Sequence, residues 1–191
     1  METTDPRARL LSAAVDHVLA HGLSDLSLRE LATAIGTSHR MLIYHFGSKA
    51  GLIVAVIQTV EEAQRTAFAE LDTAGLSPAD TFRAMWRRFT DPALGPHERL
   101  FFEIYGQALQ GRPGAVDLLD GIIDNWVEPA AAYAIDHGVV PDVARAEARL
   151  SVAVIRGLLL DWLATGDHDG VNAAFERYVA TAFRSSGPWV T

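Results

Sequence analysis

Residues Ser27–Leu52 read SLRELATAIGTSHRMLIYHFGSKAGL, and they hold the clearest helix signals in the chain. Ser27 and Glu30 have the spacing of a capping box, in which each side chain bonds the other residue's backbone N–H at a helix start. Apolar residues then recur at helical spacing as far as Ile35, and Gly36 ends the helix. This part of the stretch predicts a short capped helix followed by a tight turn.

A second short helix follows Gly36, with Thr37 or Ser38 as its cap. Leu42 and Phe46, four residues apart, are its clear apolar anchors. Its other large side chains are polar or aromatic: His39, Arg40, Tyr44 and His45. A short helix of this kind, held by a helix and a turn before it, is what reading the DNA major groove requires. We therefore interpret Ser27–Leu52 as a DNA-binding helix-turn-helix.

The composition is that of a globular protein of 191 residues without cysteine, which excludes disulfides and thiolate metal sites. The N-terminus lacks a signal-peptide pattern. The longest apolar run, near residues 152–163, is interrupted by Arg156 and Asp161 and is too short to span a bilayer. We expect a cytoplasmic protein with no membrane segment.

The net charge of −8 lies entirely outside the first 52 residues. That segment balances five basic against five acidic groups: Arg7, Arg9, Arg29, Arg40 and Lys49 against Glu2, Asp5, Asp16, Asp25 and Glu30. Attraction to phosphates must therefore come from a few placed groups and not from a general positive field.

Outside the central stretch the periodicity is also helical, so the predicted fold class is all-α. Helix 1 begins near Pro6 and ends at Gly22, and a long helix 4 runs from Lys49 to near Gly75. The later helices are expected at these places: helix 5 from Ser77-Pro78, helix 6 over about 98–109, helix 7 over about 116–137 with Pro129 as a kink or interruption, helix 8 from Pro141 and buried on several sides, and helix 9 after Gly170. We expect a three-helix domain over residues 1–53, joined by helix 4 to a helical ligand-binding and dimerisation domain over 54–191.

The first part of the chain resembles the N-terminal DNA-binding domain of TetR-family transcriptional regulators. The resemblance covers roughly residues 7–53 and rests on the helix-turn-helix followed by the run His45-Phe46, Ser48-Lys49 at the family's usual distance. It implies a ligand-responsive regulator, most often a repressor, that binds a palindromic operator as a homodimer and is released by a small-molecule effector. Helices 8 and 9 would pair with their copies in a four-helix bundle.

Two positions depart from the family pattern. Many members have a small residue where this chain has Arg40, and an aromatic residue where it has Ile43. A phosphate contact made by that aromatic residue does not transfer to Ile43, while Arg40 can contact phosphate or guanine.

The predicted DNA contacts divide into two groups. The base readers lie at the start of the second helix: Ser38, His39 and Arg40. The phosphate contacts are Tyr44, His45 and Lys49, with Ser27 and Thr37 as further donors. His45 has an alternative role as a packed, hydrogen-bonded residue that holds this helix against helix 1.

A ligand pocket is predicted from aromatic residues on helices 5 to 8 and one buried charge. Its candidates are Trp86, Phe89, Phe102, Tyr105, Trp126, Tyr133, Arg156 and Trp162. Most of the aromatic residues can equally be core, and Arg156 can instead pair with Asp161 within one subunit or across a dimer.

No catalytic, phosphate-loop or cofactor motif is present, so we expect no enzyme activity, no cofactor and no metal. His17 and His21 have a metal-compatible spacing, but a solvated helix face is the better interpretation without a third ligand. The competing hypotheses are a small helical enzyme, which would show turnover, and a protein–protein adaptor, which would ignore DNA.

Overall fold

A computed structural model of the chain describes residues 5–21, 27–70 and 75–183, apart from the side chain of Phe68. The regular structure in these ranges is helical and contains no strand, which confirms the all-α prediction. The nine α-helices of the described ranges are α1 (Pro6–His21), α2 (Leu28–Ala34), α3 (His39–Phe46), α4 (Lys49–Ala69), α5 (Pro78–Phe89), α6 (Gly95–Leu109), α7 (Asp124–Asp136), α8 (Pro141–Thr165) and α9 (His168–Ala182).

The first of two compact units comprises residues 1–69 and 92–120. Within it, α1 packs on α2, α4 and α6, and α3 packs on α2 and α4. Its fully buried apolar side chains include Val18, Leu31, Leu42, Leu52, Val56, Ile57 and Ile104. Burying one such side chain stabilises the fold by about 1.5–3 kcal/mol. This core is what holds the short helix α3 in place.

The predicted caps of α2 and α3 are confirmed. The backbone N–H of Ser27 donates to Glu30 Oε2 at 2.8 Å, and the N–H of Glu30 donates to Ser27 Oγ at 3.3 Å. These bonds from Ser27 hold the pKa of the Glu30 carboxyl below its ordinary value. Ser38 Oγ accepts from the N–H of Met41 at 3.2 Å at the start of α3. Both helices therefore begin where their local sequence requires.

The second unit comprises residues 70–91 and 121–191. In its described part, α7 and α8 enclose an apolar cluster of small and medium side chains: Val127, Ala131, Ala134, Val139, Ala144 and Ala148. The ring of Phe175 on α9 stacks on Trp86 of α5, with 4.6 Å between centroids. Trp86 Nε1 also donates to Asn172 Oδ1 at 2.7 Å, so its polar edge is satisfied. These contacts join α5 to α9.

The prediction for helix 7 was wrong in its first half. A 3-10 turn at Val116–Leu119 comes first, and α7 begins only at Asp124. Gly121 between them has φ +67°, a left-handed conformation that ends helical geometry. Pro129 lies inside α7 and does not interrupt it.

Two smaller expectations also differ from the structure. α6 begins at Gly95, slightly before the predicted start near residue 98. α8 is not buried all round, because Leu150 and Leu160 are exposed in the single subunit.

α4 ends at Ala69, before the predicted end near Gly75, and Glu70 is already in a turn. The predicted end of helix 1 at Gly22 falls outside the described residues.

The predicted domain boundary after residue 53 falls inside α4. The compact units are divided elsewhere, and α4 lies wholly in the first unit. That boundary stays a prediction.

Among the described helices, no single one is long and apolar enough to cross a membrane. The pair α3 and α4 reaches that length only together and is bent by 67°.

Candidate nucleic-acid interface

One side of α3 is exposed and the other is anchored in the first unit. His39, Arg40 and Tyr44 are exposed, and Tyr44 keeps 78% of its surface accessible. Leu42 and Phe46 are buried. At about 100° per residue, Arg40 and Tyr44 lie on the side of α3 opposite the two anchors, whereas His39, the first residue of the helix, lies closer to the direction of Phe46. The predicted contact residues Arg40 and Tyr44 therefore share an accessible face, and His39 is exposed at its start.

The remaining predicted donors lie at or next to the starts of α2, α3 and α4. Ser38 is the exposed N-cap of α3, and Lys49 is exposed in the first turn of α4. Ser27 is the exposed N-cap of α2. Thr37 is half-buried, and its backbone N–H donates to the carbonyl of Ala32 at 2.8 Å. Helix N-termini and hydroxyls are common phosphate ligands in protein–DNA complexes.

His45 is the predicted contact that lies deepest. Its ring is half-buried, and its edge packs on Tyr44 with 4.9 Å between ring centroids. Its Nε2 atom is buried and has no hydrogen-bond partner among the described residues. The packed arrangement fits the alternative role for His45, although that role also included a hydrogen bond. Its contact with phosphate stays a prediction.

The structure adds one apolar residue to this face and one cation near the end of α3. Ile43 is exposed beside Arg40 and Tyr44, where an apolar side chain can contact a thymine methyl group. Because Ile43 follows Arg40 by three residues, its position on the same side of the helix can be seen in the sequence. The guanidinium of Arg7 lies 5.2 Å from the centre of the Phe46 ring, a cation–π distance that holds a positive charge near the end of α3. Nothing local in the sequence links these two residues.

The loop after α6 is seated on the first turn of α4. Ser48 Oγ accepts from the N–H of Gly51 at 2.9 Å and so caps α4 beside Lys49. Gly114 has φ +80°, and a Cβ atom built on it would lie 2.8 Å from Ser48 Oγ. Only a glycine therefore allows this loop to approach the cap so closely.

Replacing Gly114 with Ala should destabilise the protein more than replacing Gly111 with Ala. Both glycines have positive φ, so each alanine brings left-handed strain of about 1–2 kcal/mol. A Cβ added at Gly111 would have no atom within 4 Å, whereas a Cβ added at Gly114 would displace Ser48 from its capping position. We expect an additional loss of about 1–3 kcal/mol in the free energy of unfolding, measured with urea. Equal losses in the two variants would contradict the close approach.

The predicted pocket residues are divided between the two units. Phe102 and Tyr105 lie in the first unit, where both contact Phe101, with ring centroids 5.2 and 5.5 Å away. The other six lie in the second unit: Trp86, Phe89, Trp126, Tyr133, Arg156 and Trp162. A shared cavity for all eight stays a prediction.

Within the second unit, these residues make separate local contacts. Phe89 packs on Trp126 with 5.4 Å between ring centroids. The hydroxyl of Tyr133 lies 3.4 Å from Thr81 Oγ1. These pairs are consistent with the interpretation of most aromatic residues as core.

Arg156 and Trp162 on α8 are engaged by residues outside that helix. Arg156 is half-buried, and its Nη2 donates to the carbonyl of Ile122 at 2.8 Å. Asp161 is exposed. Trp162 Nε1 donates to His168 Nε2 at 2.7 Å at the start of α9. A hydrogen bond from Arg156 to a backbone carbonyl is a partner for this half-buried guanidinium that the sequence does not reveal.

The described residues contain no group of three or more His, Asp or Glu side chains placed to hold a metal ion. The rings of His17 and His21 stack with 4.5 Å between centroids; His17 is half-buried and His21 is exposed.

Residues 10–56 match the family model described as bacterial regulatory proteins, tetR family. This range includes the complete exposed face of α3 and the first turns of α4. The family match and the geometry therefore point to the same part of the chain.

Known proteins resemble the chain over nearly its full length. The HTH-type transcriptional regulator BetI of Pseudomonas paraeruginosa is 26% identical over 189 residues, covering 95% of each chain. A transcriptional regulator from Rhodococcus sp. Rha1 shares the fold, with a TM-score of 0.73 at 20% identity, over 93% of this chain and 95% of the other. The multidrug binding protein EbrR, solved in complex with imidazole, has a TM-score of 0.60 at 25% identity, over 91% of this chain and 90% of the other.

Proposed function

The chain belongs to the TetR family of DNA-binding transcriptional regulators, and from this premise we propose that it binds a palindromic operator as a homodimer and leaves it when a small-molecule effector binds. The expected output is repression. The observation that carries this proposal is the exposed face of Arg40 and Tyr44, with His39 exposed at the helix start, on a short helix anchored by Leu42 and Phe46.

Residues 1–53 are proposed as the DNA-binding domain and 54–191 as the ligand-binding and dimerisation domain. Because residues 1–52 are neutral overall, a few contacts carry the affinity for DNA. Ser38, His39 and Arg40 are assigned to bases. Tyr44, His45 and Lys49, with Ser27 and Thr37, are assigned to phosphates.

The dimer is proposed to form through α8 and α9. One side of α8 carries exposed or half-buried residues spaced three and four apart: Leu150, Ala153, Val154, Gly157, Leu160, Asp161 and Ala164. The small members of this set let a second helix approach closely, and the leucines supply apolar area that one subunit leaves in water. A two-fold dimer would place two recognition helices about 34–36 Å apart, one turn of DNA.

Release by an effector is proposed to act through α4. EbrR is described as a multidrug binding protein and was solved with imidazole, which supports a small-molecule ligand for this chain as well. A ligand that prefers one position of α4 would shift the spacing of the recognition helices, because Lys49 and the end of α3 move with the start of that helix. Operator affinity would then fall to the extent that the ligand binds more tightly to the state that does not fit the operator.

Selection of bound sequences from random double-stranded DNA tests this function. The expected product is a palindrome bound by two copies of the chain. Repeating the selection with a small-molecule extract should reduce recovery of that palindrome if an effector is present. No enrichment at low salt would overturn the proposal and favour an enzyme or an adaptor, whose signatures are turnover and a stable protein complex. We expect neither signature from this chain, and we expect it in the cytoplasm.

Replacing Arg40 with Ala should weaken binding to the selected palindrome by about 10–100-fold, because one base or phosphate contact is lost from each half-site. Arg145→Ala is the matched control, since Arg145 lies in the second unit and pairs with Glu128 at 2.6 Å. The measurement is fluorescence anisotropy at several salt concentrations. A phosphate role lowers the salt dependence, whereas a base role relaxes the sequence preference at one position. Unchanged affinity in Arg40→Ala would remove this residue from the interface.

A further inference from the structure

One cation of the first unit is held at the end of α3 by a contact between two helices. The guanidinium of Arg7, in the first turn of α1, lies 5.2 Å from the centre of the ring of Phe46, the last residue of α3. Phe46 is only 9% exposed, whereas Arg7 is exposed. Arg7 is therefore positioned by a buried anchor, while its charge remains accessible.

Arg7 extends a row of ring contacts along the end of α3. The rings of Tyr44 and His45 lie 4.9 Å apart, and those of His45 and Phe46 lie 6.3 Å apart, measured between centroids. Tyr44 and His45 are two of the residues assigned above to phosphates, and Lys49, a third, begins α4 three residues after Phe46. Arg7 therefore stands next to the proposed phosphate contacts, although it is distant from them in the chain.

The charge of Arg7 is not used inside the described part of the protein. No Asp or Glu among the described residues forms an ion pair with its guanidinium. The carboxylate nearest to it in sequence belongs to Asp5, and this group accepts the backbone N–H of Arg7 at 3.1 Å. The guanidinium is therefore available to an anion outside the chain.

The first turn of α1 is an unfavourable place for a cation as far as α1 alone is concerned. The N-terminus of a helix carries partial positive charge, and its C-terminus carries partial negative charge. Arg7 lies at the N-terminal end of α1 and is held at the C-terminal end of α3. Two roles remain for it: stabilising the end of α3, or contacting the molecule that α3 binds.

The size of the major groove indicates a phosphate as the partner in the second role. The groove is about 12 Å wide, and a helix with its side chains has a diameter of about 10–12 Å. A recognition helix therefore fills the groove, and a group held beside that helix meets the backbone walls, not the base edges. A guanidinium suits this place, because its N–H donors match the oxygens of a phosphate in a bidentate manner.

We propose that Arg7 contacts one backbone phosphate in each half-site of the operator, beside the C-terminal end of α3, and that Phe46 positions it there. The inference rests on the proposed function, because it adds a contact to the same DNA interface. Arg7 precedes residues 10–56, which match the family model, so the contact lies outside the matched segment. Because residues 1–52 are neutral overall, the loss of one such contact per half-site should be measurable.

The salt dependence of binding to the selected palindrome tests the contact. Each neutralised phosphate contributes about 0.9 to the slope of log K against log salt concentration, so the loss of one contact per half-site should lower the slope by about 1.8. We expect this change in full-length Arg7→Gln, with about 10-fold weaker binding at low salt, measured by fluorescence anisotropy. Arg7→Lys should keep most of the slope, because it retains the charge. An unchanged slope in Arg7→Gln would overturn the proposal.

Arg9→Gln is the matched control for charge. Arg9 is also an exposed arginine of α1, and two residues along a helix correspond to a rotation of about 200°, which places it on the other side of α1 from Arg7. Its slope should equal that of wild type. A decrease as large as that in Arg7→Gln would attribute the effect to net charge and overturn the contact.

Urea unfolding of the same variants separates the two roles of Arg7. If the residue only stabilises the end of α3, Arg7→Gln will unfold at lower urea concentration and keep the salt slope of wild type. That combination would assign Arg7 to the fold and overturn the phosphate contact.

Neutral phosphates identify the partner of Arg7 on the DNA. A methylphosphonate placed at single positions of the half-site removes one backbone charge at a time. At one position wild type should lose affinity, whereas Arg7→Gln should lose little more than it has already lost, as expected for two groups in contact. Additive losses at every position would contradict the assignment.

Selection from random DNA separates this inference from the proposed function. Arg7→Gln should select the same palindrome as wild type, since a phosphate contact carries no sequence information. A different palindrome would assign Arg7 to a base and overturn the phosphate contact. If wild type selects a palindrome but Arg7→Gln keeps its salt slope, only the Arg7 contact is overturned. If wild type selects no DNA sequence, the proposed function itself fails.

Discussion

Replacing both Leu150 and Leu160 with Glu should convert the protein from a dimer to a monomer and reduce operator affinity by about 100-fold or more. These leucines are 49% and 51% exposed in the subunit, and they stand on the face of α8 proposed to meet its copy. Each buried leucine contributes about 1.5–3 kcal/mol, and two-fold symmetry uses every residue twice. A carboxylate in the same place is also costly to bury unpaired.

Sedimentation velocity and anisotropy on the selected palindrome measure the two consequences. Leu109→Glu is the matched control, because Leu109 is an exposed leucine at the end of α6 in the first unit. It should leave the dimer intact. Circular dichroism should be the same for all three proteins, since each substitution lies on an exposed position. A double variant that remains dimeric and binds DNA normally would refute the proposed interface.

Lowering the pH from 6.5 to 4 should destabilise the wild-type protein by roughly 3 kcal/mol through His97 alone. Burial lowers the pKa of His97 from 6.5 to about 4 in the folded state. In the unfolded chain the ring takes up a proton near pH 6.5, whereas the folded ring stays neutral until about pH 4. The unfolded state therefore binds more protons between these values, and stability falls as the pH is lowered through this window. Below it, this contribution stops changing.

Urea unfolding of wild type and His97→Phe at several pH values measures the effect as a difference. Carboxylates titrate in both proteins, so subtracting the two curves isolates the histidine. His137→Gln is the control, because His137 is exposed and its replacement removes a histidine that the fold does not bury. It should follow the wild-type curve. A His97→Phe curve parallel to that of wild type between pH 7 and 5 would show that the ring is not held neutral by burial.

The helix starts at Ser27, Ser38 and Ser77 were predictable from sequence because each cap and its partner lie three residues apart. Ser77 Oγ accepts from the N–H of Asp80 at 3.1 Å, with Pro78 following in the first turn of α5, as expected. Helix 7 was mispredicted because its apolar spacing continues across Gly121. Whether a glycine adopts positive φ depends on the direction in which the tertiary fold requires the chain to continue.

The candidate DNA face was largely predictable, and the ligand pocket was not. Alternation of anchors and polar groups on a short helix already indicated which side of α3 is accessible. Arg7 was missed because it reaches Phe46 across three helices of intervening chain. The eight pocket candidates were grouped by residue type and predicted helix. Their division between two units depends on which distant segments pack together, as Trp86 and Asn172 do within the second unit.

The sequence by itself determined the all-α class, the capping box at Ser27–Glu30, the turn at Gly36 and the exposed composition of α3. Each of these depends on side chains within one or two helical turns of each other. Only the tertiary structure decided that Gly114 rests on the cap of α4 and that Gln64 and His97 are buried with no hydrogen-bond partner among the residues that the structure describes. Burial and pairing are set by the helices that pack around a residue, and those helices are distant in the chain.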